Sequence, residues 1–334
     1  MLVDLILFND EVELLAFRLK YLSPVVERFV IFESPRSFSG RAKKLFATEA
    51  VQLSEISKDK VTISKYEFPA ELIMNASSDR WPLERFARSR LEAFCLKFPQ
   101  DTKFLISDLD EIPSIFQLME AQESQEVTIL PTPLFYRFAN WAVPHGENWK
   151  TAKVVPKGFL NDVNNLRYRV DFQTSHSEPG VHFSYLGSTD LELFNKLEDI
   201  AHAEFSISKS EVTVILKYSN KYFLDHLGRF NRKGFGLLNK IEPHELSSLQ
   251  RALLEFNPAF FEFEVEILPL PQRLFASFKL WVAWRSKDFK ILEANFRGRL
   301  ALQFVIYASK FWILNTLLSF RGFTSQLIRL FSRR

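Results

Sequence analysis

The sequence predicts an α/β protein, a mostly parallel sheet with flanking helices, followed by a basic amphipathic helical tail at the C-terminus. Short apolar runs rich in β-formers alternate with helical patterns from the first residue, the pattern of parallel strands joined by crossover helices. Three of the runs end in polar clusters, Asn9-Asp10-Glu11, Glu33-Ser34 and Asp108-Leu109-Asp110. Ligands of open parallel sheets sit beyond the carboxyl ends of the strands, so the cleft is expected there. Charge sets the tail apart: Arg273 to Arg334 holds 12 Lys/Arg against 2 Asp/Glu, in a chain with 43 against 40.

The first strand is Leu2 to Phe8, and the helix after it, from about Glu11 to Leu22, carries Val12, Leu15, Leu19 and Leu22 along one side before Pro24 closes it. Arg28 to Glu33 is a second strand, with a loop from Ser34 to Gly40. Val61 to Tyr66 is a third, ahead of a long helix near Pro82 to Phe98, and Lys103 to Ser107 is a fourth that runs into the Asp108 cluster. Further on, Val127 to Arg137 reads as a proline-interrupted strand, Asn140 to Ser177 as loop-rich, Val181 to Tyr185 as a strand and Asp190 to about Glu204 as a helix. Lys221 to Lys240 is basic and holds three of the ten glycines, which suits a mobile or ligand-facing segment. Pro269-Leu270-Pro271 reads as a hinge between a body over 1–270 and a tail over 271–334.

With 47% hydrophobic and 25% charged residues, 334 residues can bury a sizeable core, and neither a disordered chain nor a multi-span membrane protein has this composition. The 35 Phe, 6 Trp and 8 Tyr belong in a core, a sugar platform or a membrane interface. A lone Cys95 excludes an internal disulfide and suits a reducing compartment. The opening residues read as neither signal peptide nor N-terminal anchor. No G-x-G-x-x-G follows the first strand and no G-x-x-x-x-G-K-[ST] occurs, so bound phosphates would have to be neutralised by other means.

Asp108 and Asp110, one residue apart at the end of an apolar strand, can place oxygens around one Mg²⁺ or Mn²⁺ that keeps positions open for phosphate. The same aspartates could instead cap the helix that begins at Pro113, and both readings stand at this point. A phosphatase would carry its D-x-D on the first strand, which here ends in Leu7-Phe8-Asn9-Asp10, so that reading is set aside.

Four segments, Asp4 to Leu45, Phe104 to Pro113 (FLISDLDEIP), Pro179 to Gly187 (PGVHFSYLG) and Lys196 to Phe205 (KLEDIAHAEF), together resemble glycosyltransferase family 17, the family of β-1,4-mannosyl-glycoprotein 4-β-N-acetylglucosaminyltransferase. The resemblance runs over roughly residues 2–270 and implies a GT-A-like, Rossmann-type fold in that body, a nucleotide-sugar donor, UDP-GlcNAc in the best-known members, and an inverting transfer. It implies that Asp108 and Asp110 hold Mn²⁺ or Mg²⁺, with His182 either completing the shell or packing as a core histidine. It puts Asn9, Asp10, Glu11, Glu33 and Ser34 around uridine and ribose, Asp108 beside the donor, and Arg88 near the diphosphate. Glu11 could equally support the start of its helix, and Arg88 or Arg90 could pair with an acid such as Glu84. Glu204, with His202 beside it, and Glu111 of the metal motif are the catalytic candidates, a plain helix end being the other reading of the first two. Tyr136, Trp141 and Trp149 form either an acceptor platform or packed core. Val181 replaces a usual Trp, and Ala87 a Gln common in bacterial members, departures that bear on acceptor or donor preference.

The stretch from Leu300 to Phe320 is long enough to span a bilayer, but Lys310 lies at its midpoint. An in-plane helix suits it better, with Arg297, Arg299, Arg321, Arg329, Arg333 and Arg334 toward anionic head groups; a helical subdomain packed on the body is the alternative. No nucleic-acid partner is expected, because the basic residues alternate with bulky aliphatics. The expectation is therefore a bacterial-type, metal-dependent transferase, peripheral at the cytoplasmic face of the membrane and acting on a lipid-linked or surface polysaccharide precursor. Its rival is a non-catalytic membrane-surface protein that keeps the fold and binds glycans.

Overall fold

An apolar strand with no polar face has to be covered on both sides, and Leu2–Phe8 is such a strand. In the computed structural model it is β1, followed by α1 (Val12–Leu22), β2 (Arg28–Glu33), α2 (Ala47–Ser54), β3 (Val61–Lys65), α3 (Ala70–Asn75), α4 (Trp81–Cys95) and β4 (Lys103–Ile106). The structure describes residues 1–77, 79–144, 148–160, 162–187, 189–199, 207–227 and 236–293. β1 pairs in parallel with β2 and β4, and β2 with β3. Leu2, Ile6 and Phe8 pack with Leu15 and Leu19 of α1, while Val3 and Leu5 pack with Leu91 and Cys95 of α4, so the sheet is sandwiched between helices. β1 to β4, α1 and α4 agree with the sequence expectation to within a few residues, whereas α2 and α3 are not among the expected elements.

The rest of the chain adds β5 (Glu111–Ile112), α5 (Ile115–Glu123), β6 (Thr128–Ile129), β7 (Leu134–Tyr136), β8 (Trp141–Ala142), β9 (Lys153–Pro156), α6 (Val163–Leu166), β10 (Gln173–Thr174) and β11 (Val181–Ser184). After these come α7 (Asp190–Asp199), α8 (Lys209–Tyr222), β12 (Asn239–Lys240), α9 (Ser248–Phe256), α10 (Leu270–Ser286) and α11 (Lys290–Glu293). Among the described residues seven strands form one sheet, in the order β10-β6-β9-β4-β1-β2-β3, and five form a second, β12-β8-β7-β11-β5. The large sheet is mostly parallel, with β9 running antiparallel to both β4 and β6.

Two expectations are corrected here. The segment Val127 to Arg137 is not one strand: β6 and β7 lie in different sheets, separated by Pro131 and Pro133, which cannot donate to a ladder. The loop-rich stretch Asn140 to Ser177 contains β9, an interior strand of the large sheet, too short and too close to lysines to stand out by pattern.

The chain divides into two units, one made of Met1–Thr213 with Leu238–Glu266 and the other of Val214–Leu237 with the described residues from Ile267 onward. In the second, Pro269 and Pro271 mark the start of α10, as prolines suit a first helical turn. Arg273 donates to the carbonyls of Tyr222 and Phe223, Lys279 to that of Leu292, and the Trp284 indole to that of His226. The first basic residues of the tail are thus turned inward. Among the described residues no helix is long and apolar enough to cross a membrane. The six arginines expected at head groups lie outside the described residues, as do Glu204 and His202.

Candidate active site

Between β4 and β5 the chain must turn through Ser107-Asp108-Leu109-Asp110, and a charge pair in the core fixes that turn. Asp4, in β1, and Arg18, on α1, are fully buried. Arg18 Nε and Nη2 donate to the two Asp4 carboxylate oxygens at 2.9 and 2.7 Å. Nη2 also donates to Ser107 Oγ at 2.7 Å, and Nη1 to the carbonyls of Asp108, Leu109 and Glu111 at 2.7, 3.2 and 3.2 Å. A charge can be buried when it has both a counterion and acceptors for its remaining N–H groups, and Arg18 has both.

Glu111 fixes the turn from the other side. Its Oε2 accepts from Asp108 N at 3.0 Å, and its Oε1 from the Trp149 indole at 2.6 Å, from Arg167 Nη2 at 3.1 Å and from Thr151 Oγ1. Fully buried and with both oxygens engaged, it stands behind the cavity wall rather than on it. The helix that follows is capped by Ser114, whose Oγ accepts from Gln117 N while Gln117 Oε1 accepts from Ser114 N, each at 3.1 Å. Asp108 and Asp110 therefore do not cap it, and the capping alternative is replaced by a geometry in which both line a cavity of about 550 Å³ at the carboxyl ends of β1 and β4.

Asp108 is held by two arginines. Arg88 Nη2, from α4, donates to Oδ1 at 2.9 Å and also to Glu84 Oε1 at 2.9 Å, while Arg167 Nη2 donates to Oδ2. Burial alone would raise the Asp108 pKa, but Arg167 and Arg88 outweigh it and keep the carboxyl well below the usual range. Asp110 differs: burial is the largest influence and pushes it up, with His182 Nε2 at 3.7 Å and Lys196 Nζ at 3.8 Å pulling back. Lys196, on α7, also reaches Glu11 Oε1 at 3.2 Å. Burial works against both charges of that pair, yet Lys196 holds Glu11 below its ordinary value and is itself raised by Glu11 and Asp110.

His182 is brought here by a close approach. His182 pairs with Glu111 where β11 runs antiparallel to β5, and two residues earlier Gly180 lies so near the turn that a Cβ would sit 2.2 Å from the carbonyl oxygen of Ile112. The His182 ring lies 5.1 Å from that of Trp149, and its Nδ1 is buried without a hydrogen-bond partner.

Of the expected site residues, the fold brings Asn9, Glu11, Arg88, Asp108, Asp110, Trp149 and His182 to one cavity. Asp10 lies on a smaller neighbouring cavity of about 320 Å³, where desolvation and Glu11 lift it to about 6. Glu33 serves the fold instead, since its oxygens accept from Phe46 N and Ala47 N at 2.6 and 3.2 Å, holding the start of α2, with Lys43 at 3.3 Å. Ser34 Oγ accepts from Arg36 N at 3.2 Å within its own loop. Neither lines the cavity. Trp141, 1% exposed, and Tyr136, 3% exposed, are packed inside, which leaves Trp149 as the aromatic of that trio on the wall. Arg90 is exposed on α4, its guanidinium over Phe86.

Sequence reasoning missed Arg167, Lys196, Arg18 and Asp199. Asp199 accepts from Ser37 Oγ and Ser39 Oγ at 2.9 Å each and pairs with Arg41, tying the loop after β2 to the end of α7. Lys196 and Asp199 fall within a segment already singled out. Arg18 could have been found as a base on the apolar face of a helix opposite an acid in an apolar strand; Arg167 carries no such signal.

The residues present fit a divalent cation at the minimum. No group of three His, Cys, Asp or Glu among the described residues forms a cage. Mg²⁺ and Mn²⁺ need only one or two protein carboxylates when phosphate supplies the rest, and Asp110 has its oxygens turned to long contacts only. A carboxylate has about four lone-pair sites, so Asp108 keeps capacity beside its arginines.

The sequence model of glycosyltransferase family 17 matches residues 1–212, the span that contains every residue lining the cavity. The chain belongs to glycosyltransferase family 17. It is a glycosyltransferase, so its reaction moves a sugar from a donor to a glycan acceptor and releases the remainder of the donor. No curated protein matches it. The family-17 span ends near the start of α8, ahead of α9 and the second unit's helices.

Proposed function

We propose that this glycosyltransferase is a metal-dependent, inverting enzyme that moves GlcNAc from UDP-GlcNAc to a hydroxyl of a lipid-linked or surface polysaccharide precursor. The observation that carries the reading is the cavity itself: Asp108 and Asp110 on a turn pinned by Arg18 and Glu111, facing Arg88, Arg167 and Lys196. The choice of donor sugar follows the family resemblance.

A diphosphate brings negative charge that must be balanced as the sugar departs. Asp110, with Asp108 and His182 beside it, would hold Mn²⁺ or Mg²⁺, which when bound supplies positive charge at the leaving diphosphate. Asn9 and Glu11, at the end of β1, are set to orient the nucleoside. The exposed face of Trp149, its indole N–H anchored on Glu111, offers a fixed surface against which a sugar ring can stack. Glu111 acts through Trp149 and Asp108 as a positioning group, and Glu204 is the proposed base. Inversion asks for one in-line attack by an acceptor oxygen whose proton a carboxylate removes.

Two measurements test this. Release of sugar from a panel of UDP-, GDP- and CMP-sugars is expected to be Mn²⁺-dependent, best with UDP-GlcNAc, and lost in Asp110→Asn; metal-independent turnover by that variant would overturn the reading. The basic tail over 271–334 is proposed to hold the enzyme on the cytoplasmic face of an anionic membrane. Removing it should abolish co-sedimentation with phosphatidylglycerol vesicles, and undiminished sedimentation would refute the anchor.

A further inference from the structure

Arg167 reaches the cavity from the turn after α6, a short helix packed against α4. Its backbone is pinned: Lys153 Nζ, buried in β9, donates to the Arg167 carbonyl at 2.8 Å and to those of Lys150 and Thr151 at 2.7 and 3.2 Å. The side chain is 7% exposed, and its two terminal nitrogens differ sharply. Nη2 is shared between Asp108 and Glu111, while Nη1 is buried with no hydrogen-bond partner. A buried guanidinium N–H is costly to leave unpaired.

Arg88 stands on the opposite side of the same carboxylate. Two guanidinium groups, each reaching a different oxygen of one carboxylate through its Nη2, form a site suited to phosphate as well as to carboxylate. We propose that Arg88 and Arg167 are the diphosphate-binding pair of the donor site and that Asp108 is an internal anion seated in it, which the phosphate oxygens displace. The unpaired Nη1 of Arg167 then gains an acceptor, and release of Asp108 from the arginines accompanies donor binding as one exchange. This rests on the nucleotide-sugar reading above and adds the class of group that Arg167 recognises.

Binding to the full-length chain, measured by calorimetry with UDP and with inorganic pyrophosphate, in Mn²⁺ and in EDTA, separates the possibilities. Arg167→Gln should bind UDP roughly ten- to a hundredfold more weakly, as expected for loss of charge-assisted hydrogen bonds. Arg167→Lys, which keeps a cation against Asp108 but loses the fork, should fall between, with its melting curve checking that it folds. Asp108→Asn gives the sharper result: in EDTA it should bind UDP and pyrophosphate more tightly than the unaltered chain, because the arginines no longer have a competing anion. Equal UDP affinity in Arg167→Lys, or no gain in Asp108→Asn in EDTA, would overturn the exchange while leaving the donor reading intact. If the unaltered chain binds neither UDP, GDP nor CMP in Mn²⁺, the donor reading falls and takes this proposal with it.

Discussion

Two carboxylate–guanidinium clusters flank the same turn and are built to different ends. The Asp4–Arg18 pair is sealed, both side chains at 0% exposure and Arg18 spending its donors on Asp4, Ser107 and three carbonyls. The Asp108 cluster opens on the cavity: its carboxylate is 31% exposed, and Arg167 retains an unpaired nitrogen. Chemistry of the side chains does not distinguish the two, since both are Asp with Arg. What distinguishes them is completeness. A saturated network has nothing left to offer a ligand, while an unsaturated one at a cavity wall can exchange partners.

The comparison predicts an order of effects. Arg18→Met should be the most damaging change, leaving Asp4 as an uncompensated buried charge at a cost of about 3–5 kcal/mol, read as a large fall in the thermal midpoint. Asp108→Asn should cost much less stability while altering nucleotide binding; if the two melt alike, the distinction between the clusters is lost. Gly180→Ala should come next, at about 1–3 kcal/mol, because a Cβ collides with backbone at Ile112 and Pro113 that cannot yield without moving β11 and His182. Trp149→Phe removes one N–H from Glu111, whose Oε1 keeps Thr151 and Arg167, and should cost about 0.5–1.5 kcal/mol, with a loss of acceptor-dependent turnover exceeding the loss of donor hydrolysis.

The smallest effect concerns pH. Hydrogen bonds from Ser175 and Ser177, and from the amides of His176 and Ser177, lower Glu120 from 4.5 to about 2. Its folded pKa is depressed, so its contribution is full above about pH 4.5 and is lost as pH falls toward 2. Glu120→Gln should flatten the acid limb of a stability–pH curve in that window by lowering stability at neutral pH, where the carboxylate's contribution is full, while leaving the stability near pH 2 nearly unchanged. An identical acid limb would show that Glu120 does not tie α5 to the segment before β11.

The parts of the fold that were legible are those with long local signals. β1 to β4 are runs of four to seven residues with helical patterns between them, and each was found nearly to the residue. β5 and β12 are two-residue strands whose existence depends on partners far along the chain, and no local pattern announces them. The site divides in the same way. Asp108 and Asp110 were visible because both carboxylates lie on one strand end. Glu33 was misread because its oxygens meet the amides of Phe46 and Ala47, thirteen and fourteen residues on. Arg167 was invisible because its role arises when α6 and β9 deliver it to a turn 56 to 59 residues earlier in the chain.

On α7, Lys196 and Asp199 are separated by a single helical turn, and each grips a different border of the cavity. One reaches Glu11 and Asp110; the other fastens Ser37, Ser39 and Arg41. A rigid rod with a hook on each of two rims works as a buckle: the width of the mouth is set by the pitch of a helix, and rotating that rod would slacken both rims together.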